Sequence, residues 1–546
     1  MELDKTIINE CIEKNMDEAV QTLKSLISIN SVGGDPVTVR TPGTSNQGQA
    51  PIGGTSEQGQ APFGGAAPAE SKVEVYPFGR GVQDVFECVL AKGGELGFDT
   101  CDVDHYGGHI EWKGVKPAEE TEAGESSEPA DEADAAEEPE TGETSEPADE
   151  TLGVLAHLDT VPEGEGWEHR PFSGDIADGC IWGRGSIDDK GPLVAVLYAM
   201  KSLKDAGYVP AKNVRLILGL DEETNWDGME YYFEHMPRPD FGFTPDADFP
   251  VLNGEKGIMS FKIAAKLKRD TVKGLELRKM SGGTAVNMVP AQARAVVHDQ
   301  DAAVYDRIRK MAESYEMTTG HALGLHKMGK SLEITAKGKS AHGSMPEQGI
   351  NAVSILIGFL GQLNFVNEDL CRFFDFYNDC IGMTTDGSKL GIAMSDEPSG
   401  GLTLNPGILE YDGQAVSVKC DVRYPVTKTS DDVYDGMMPA IDKYGLGVLK
   451  SEDREPIYLD PDSPLIKTFM SCYQDATGDM EHGPVVIGGG TYSRTSKNIV
   501  AFGAMFPGDP QLEHQPNERL PLERFRQLVH IYAEAIYRLT QPGFRI

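Results

Sequence analysis

Positive charge is what this chain has least of. Its 49 Lys and Arg residues against 87 Asp and Glu give a formal net charge of −38 over 546 residues. Such a surface repels nucleic-acid backbones and anionic lipid, so neither is an expected partner. Long apolar runs are also missing, and none approaches the ~20 residues that a membrane span needs. Met1 to Met16 mixes charges with isolated Ile7, Ile8 and Ile12, without the unbroken apolar core of a signal peptide. The eight cysteines, at 11, 88, 101, 180, 371, 380, 420 and 472, form no Cys-x-x-Cys pair. That argues against a disulfide frame or a thiolate zinc site, and for reduced thiols in a cytoplasmic protein.

The length exceeds one ordinary domain and suits two folded domains, with some material that cannot fold. Two segments have that character. Thr44-Ser-Asn-Gln-Gly-Gln-Ala-Pro-Ile-Gly is echoed from Thr55 as Thr-Ser-Glu-Gln-Gly-Gln-Ala-Pro-Phe-Gly. Two copies are too few for a solenoid, and Gly, Gln and Pro suit a flexible loop. Residues 118–150 hold 15 acids and no base, and repeat Ser-Glu-Pro-Ala-Asp-Glu at 127–132 and 145–150. So little apolar surface does not offset the entropy of ordering, and disordered insertions are expected over 34–72 and 117–150.

Elsewhere the pattern is α/β. Thr151-Leu-Gly-Val-Leu-Ala is a short apolar run of buried-strand type, and Asn213-Val-Arg-Leu-Ile-Leu-Gly-Leu is another. Between them, Gly191 to Ala206 has apolar residues at 193, 196, 197 and 200, a helical spacing closed by Gly207. Strand, helix, strand implies a parallel unit with a right-handed crossover, and ligands gather at the carboxyl ends of such strands.

Those ends carry the chemistry. The first strand finishes in Ala156-His157-Leu158-Asp159, where i and i+2 face the same side. A carboxylate there can hold the N–H of an imidazole whose other nitrogen binds a metal. The second finishes in Asp221-Glu222-Glu223, three acids that repel one another unless solvated or bound to cations. Gly183-Arg-Gly-Ser-Ile-Asp188-Asp189-Lys190-Gly191 precedes the helix, and its adjacent acids add ligand capacity. A phosphate-cradling loop is the rival reading, but the spacing is not that of a P-loop and the acids would repel phosphate. Thr244-Pro-Asp246-Ala-Asp and Phe506-Pro-Gly-Asp-Pro-Gln-Leu-Glu-His514-Gln-Pro-Asn-Glu add a further acid and a late imidazole. Singly, each motif has an ordinary solvated or structural reading.

In this order, the set resembles the M20 peptidase family, and within it the PepV-type dipeptidases and their Xaa-His-cleaving relatives. The likeness covers nearly everything except about 34–72 and 117–150. It implies that His157 and Asp246 hold one metal, Glu223 and His514 the other, and Asp188 bridges them. Asp159 would orient His157, and Glu222 would be the general base. Two divalent ions are implied, Zn²⁺ first on the all-N/O donor set, with Mn²⁺ or Co²⁺ as substitutes. A cis peptide between Asp188 and Asp189 is implied as well. Lys339-Ser-Ala-His342-Gly-Ser-Met-Pro is similar to the family's lid motif, whose histidine stabilises an oxyanion. Ala285-Val-Asn287-Met-Val-Pro and Asp421-Val-Arg423-Tyr-Pro resemble segments that hold substrate backbone and terminal carboxylate. Gly488-Gly489-Gly-Thr491-Tyr would present N–H groups near that carboxylate.

The expected architecture is a hydrolase-like α/β catalytic domain with a mixed, mostly parallel sheet (1–257 and 455–546), interrupted by an α+β lid at 258–454. The length of that lid implies internal duplication and a monomer acting on small peptides. The rivals are an M20 N-acyl amino acid deacylase or desuccinylase, and a non-catalytic binding protein that keeps the fold.

Overall fold

The structure, a computed structural model, describes residues 5–41, 72–116, 146–268 and 272–546. The chain divides into two compact units. One comprises Met1–Val251, Asp462–Gly483 and Thr491–Ile546, and the other Leu252–Pro461 and Pro484–Gly490.

In the first unit, strands Ile499–Ala501, Phe241–Thr244, Thr151–His157, Asn213–Gly219, Gly107–Trp112 and Asp99–Val103 lie side by side in that order. The first four are mutually parallel, and the last two continue antiparallel. Every residue of Thr151–His157 is buried, as a central parallel strand covered on both faces requires. Leu155 and Ile217 pack with Met229 and Tyr232 of helix Asp227–His235. Helix Lys190–Asp205 contacts the 151–157 strand and packs with helices Lys5–Ile27 and Leu522–Leu539. Its end follows from Gly207, whose φ of 82° lets the Gly207 and Tyr208 amides close on Lys204 and Leu203.

The second unit is built on an eight-stranded antiparallel sheet ordered Leu323–Met328, Ser331–Lys337, Gln292–His298, Glu276–Gly282, Thr403–Tyr411, Ala415–Tyr424, Gly257–Lys266 and Gly447–Arg454. Helices Ala303–Thr319 and Ala352–Leu360 pack on the first four strands, and Glu368–Cys380 and Ser430–Tyr444 on the last four. Two halves of four strands and two helices thus meet at the 276–282/403–411 pair.

Two boundaries move. The division falls after Val251 and Pro461 rather than after 257 and 454, because strand Leu252–Glu255 pairs with Ile457–Tyr458 and Val485–Ile487 inside the second unit. Most of the two insertions, 42–71 and 117–145, lies outside the described residues. Their described ends are ordered, contrary to the expectation. Val37–Thr41 pairs antiparallel with Lys72–Tyr76. Glu146 accepts from Lys116 N–H at 2.9 Å, and Glu150 accepts from Asn213 N–H at 2.9 Å. Backbone pairing supplies there what composition does not.

The 116–146 hydrogen bond also makes a deletion practical. Replacing 117–145 with a short Gly/Asn turn is expected to shift the melting temperature by no more than about 2 °C and to leave activity unchanged. A drop of ten degrees in a thermal melt would show that the acidic segment packs. All eight cysteines are free, and no helix among the described residues is long and apolar enough to cross a membrane.

Candidate metal centre

Three neighbouring parallel strands finish on one edge, and each delivers an ionisable group at or just past its last residue. His157 ends Thr151–His157, Asp221–Glu223 follow Asn213–Gly219, and Asp246 follows Phe241–Thr244. Asp188 enters from the loop before helix Lys190–Asp205, and His514 from the segment before strand Arg519–Pro521.

The five expected ligands come together. Asp188 turns its two oxygens to different histidines, Oδ1 lying 2.8 Å from His157 Nε2 and Oδ2 3.0 Å from His514 Nε2. Glu223 Oε2 is 3.1 Å from His514 Nε2, and Asp246 Oδ2 is 3.8 Å from His157 Nε2. Donor atoms of His157, Asp188 and Glu223 all lie within 4.8 Å of one another, as do those of His157, Glu222 and Asp246. Glu222 therefore stands as close to this cluster as the acids do. His157 is fully buried, whereas the side chain of His514 is 53 % exposed.

Electrostatics favour cations here. Burial, reinforced by Asp246, pushes Glu222 well above the usual carboxylate range. Burial and Asp188 push Asp246 up to about 7, and the same two causes raise Glu223. Burial would raise Asp188 too, but its hydrogen bonds to His157 and His514 outweigh it and hold the group below its ordinary value. His514 is pushed up to about 11 by its bonds to Asp188 and Glu223. Four carboxylates and two imidazoles, all N and O donors, suit a borderline divalent ion, whose charge would relieve the repulsion among the acids.

Asp159 faces His157 and also holds the neighbouring strand end. His157 Nδ1 is 3.0 Å from the main-chain oxygen of Asp159 and 3.5 Å from its carboxylate. That carboxylate also accepts the N–H groups of Glu222 and Glu223, both at 3.0 Å. Its stronger grip is on the acid-bearing turn, because two geometrically good N–H donors outcompete one long imidazole contact. Asp189 is buried and accepts from His157 N–H at 3.2 Å, and the Asp188–Asp189 peptide is cis.

The second unit holds a set of its own. A bridge between Met288 and His342 and a 2.6 Å bond from Gly343 N–H to Asn287 O place His342 beside Asn287. The His342 Nδ1–Ser344 Oγ distance is 2.6 Å. Asn405 donates to the carbonyls of Val286 and Met288, 2.9 Å each, gripping the Asn287 turn from within. Arg423 is buried, its Nε donating to Asp421 at 3.1 Å and its Nη1 to Gly488 O at 2.8 Å, so it meets the glycine segment that includes Gly489. Thr491 belongs to the first unit, where its hydroxyl accepts from Ser493 N–H and caps helix Tyr492–Thr495.

Asn405, Arg184 and Glu518 were missed by sequence reasoning. The last two sit inside the 183–191 and 506–518 motifs, as neighbours of the expected ligands. Their signal was a basic residue in a glycine loop and an acid four positions after His514. Glu518 accepts from Arg184 and from loop N–H groups, so that glycine loop does cradle an anion, an internal carboxylate rather than a phosphate. Burial and Asp188 push Glu518 up to about 7. Every hydrogen-bond neighbour of its carboxylate is a donor, and the ionised form is the one this pocket satisfies.

A mostly parallel sheet with one buried and one half-exposed imidazole among carboxylates at its strand ends is an arrangement suited to holding divalent metal ions. Residues 153–538 match Peptidase family M20/M25/M40, and the chain belongs to that family of metallopeptidases. It is 36 % identical over 469 residues to the YtjP protein of Bacillus subtilis (strain 168), covering 85 % of this chain and 92 % of the relative. To the Beta-Ala-Xaa dipeptidase of Lactobacillus delbrueckii subsp. lactis it is 34 % identical over 478 residues, 86 % of this chain and 92 % of that one. Among solved structures, human carnosine dipeptidase 1 aligns with 98 % of each chain at a TM-score of 0.49 and 14 % identity.

Proposed function

We propose that this protein is a cytoplasmic, monomeric dipeptidase that hydrolyses the single amide bond of small peptides with two divalent ions, Zn²⁺ first and Mn²⁺ or Co²⁺ as substitutes. The observation that carries the reading is Asp188, whose two oxygens face His157 and His514 separately, the disposition of a carboxylate shared between two metal sites. His157 and Asp246 would complete one site, and Glu223 and His514 the other. The Beta-Ala-Xaa dipeptidase name of one relative supports the substrate class.

Ions held there would supply a water acidified towards hydroxide at neutral pH and a Lewis acid for the scissile carbonyl. The chain's own groups do the rest. Glu222, its basicity raised by burial and by Asp246, takes the proton of the attacking water and passes it to the departing amine. Asp159 holds Glu222 and Glu223 in place through their N–H groups. His342, set beside Asn287, donates to the developing oxyanion. Arg423 receives the terminal carboxylate of the substrate, with Gly489 in the segment it meets and Thr491 as a further substrate contact.

The test is a substrate panel on protein stripped by chelator and reloaded with each ion. Expected are hydrolysis of β-alanyl and α-dipeptides, recovery at two ions per chain, and little action on N-acetyl amino acids. Faster cleavage of N-acetyl amino acids would make the protein a deacylase. No hydrolysis with any ion would make it a binding protein.

A further inference from the structure

Glu518 has no exposed surface, yet its carboxylate has four donors around it. Oε2 accepts from Arg184 Nη1 at 2.6 Å and from Gly185 N–H at 3.2 Å. Oε1 accepts from Ile187 N–H at 2.8 Å and Asp188 N–H at 3.3 Å. The Glu518 main chain is engaged as well, because its carbonyl accepts from Gly183 N–H at 3.0 Å and the adjoining Arg519–Pro521 strand pairs with Cys180–Trp182. The loop closes round the carboxylate because Gly185 takes a φ of 85°, and because no Cβ fits at Gly191, where one would lie 2.1 Å from Ser186 O.

Arg184 extends the cluster. Its Nη2 donates to the carbonyls of Pro162 and Glu163 at 3.3 and 3.4 Å, on the segment that leads away from His157 and Asp159. One buried ion pair therefore joins three stretches of chain, and each carries a donor of the proposed centre. His514 is four residues before Glu518, Asp188 gives it a hydrogen bond, and His157 is five residues before Pro162.

We propose that Glu518 is a positioning residue for the metal centre, fixing Asp188 against His514 through the 184–188 loop. The inference rests on the metal-centre reading. A buried ion pair is weak evidence for stability, since a pair of apolar residues often does as well. What an apolar pair cannot do is collect three main-chain N–H groups of a ligand-bearing loop. Groups that hold metal ligands from behind commonly matter 10–100-fold to metal affinity.

Glu518→Gln keeps the size but turns an NH₂ towards a pocket lined only by donors. Titration of Mn²⁺ into the apo-protein by calorimetry should show at least one of the two sites weakened roughly 10- to 100-fold. The circular dichroism of the apo-variant should stay that of wild type. The visible spectrum of the Co²⁺-loaded variant should change, which a purely structural residue would not cause. Arg184→Met/Glu518→Gln removes the charges as a pair and guards against misfolding of the single variant, and it should weaken ion binding similarly. Wild-type ion affinity and Co²⁺ spectrum in either folded variant would overturn the proposal. Failure of both variants to fold would place Glu518 in the fold rather than at the metals, and would overturn it too. If wild type itself bound no divalent ion, the metal-centre reading would fall first and this inference with it.

Discussion

Glu222→Gln is expected to lower turnover by roughly 10²–10⁴ while both ions stay bound. Gln fills the same space and leaves the Glu222 N–H bond to Asp159 intact, so the turn that presents Glu223 keeps its shape. What disappears is a group able to accept a proton from water and return it to the amine. The structure makes the metal measurement as informative as the kinetic one. Glu222 lies within 4.8 Å of donor atoms of His157 and Asp246, close enough for ligation. If the variant loses one ion along with its turnover, Glu222 is a ligand and the base must be sought elsewhere. Undiminished turnover with two ions present would remove it from the chemistry altogether.

Two of the candidate donor segments were legible in the sequence for a physical reason. Parallel strands buried on both faces announce themselves as unbroken apolar runs, and residues just past them have nowhere to go but the carboxyl edge of the sheet. Local pattern therefore pointed to His157 and to Asp221–Glu223, whereas Asp246, Asp188, His514 and the ligand roles of all five rested on the resemblance to the M20 family. Glu518 could not be placed that way. Its partners Arg184 and Asp188 are more than 300 residues distant, and an Asn-Glu dipeptide after a histidine carries no periodicity to betray burial. Asp159 shows a different limit, because the i and i+2 argument predicted its neighbour His157 but not the two amides of another strand end that its carboxylate also accepts. The insertions were located by composition, yet their ordered ends depend on pairing between 37–41 and 72–76, a non-local contact across chain that composition assigns to solvent.

Substrate length is expected to be set by the end of the peptide, and Arg423 is the group that would read it. Two of its nitrogens are committed, Nε to Asp421 and Nη1 to Gly488 O, which leaves Nη2 without a partner among the described residues. The guanidinium is thus held in one orientation before any substrate arrives, and little conformational freedom is lost on binding. A free C-terminal carboxylate would gain a charge-assisted hydrogen bond there, and a dipeptide amide would not. That contact is worth ~1.5–3 kcal/mol, a preference of roughly 10- to 150-fold in kcat/KM for the free acid. Because Asp421 already shares the positive charge, the lower half of that range is the better expectation. Arg423→Ala would leave Asp421 buried without its partner, and such a loss commonly costs about 3–5 kcal/mol of stability. The absolute rate of the variant is therefore ambiguous. The ratio of free acid to amide, measured on the same preparation, cancels the folded fraction and isolates the contact. In wild type that ratio should be well above one, and in Arg423→Ala it should fall towards one chiefly through loss of the free-acid rate. Wild-type protein that cleaved dipeptide amides or tetrapeptides as fast as free dipeptides would deprive Arg423 of this role and make the protein a general aminopeptidase of its family.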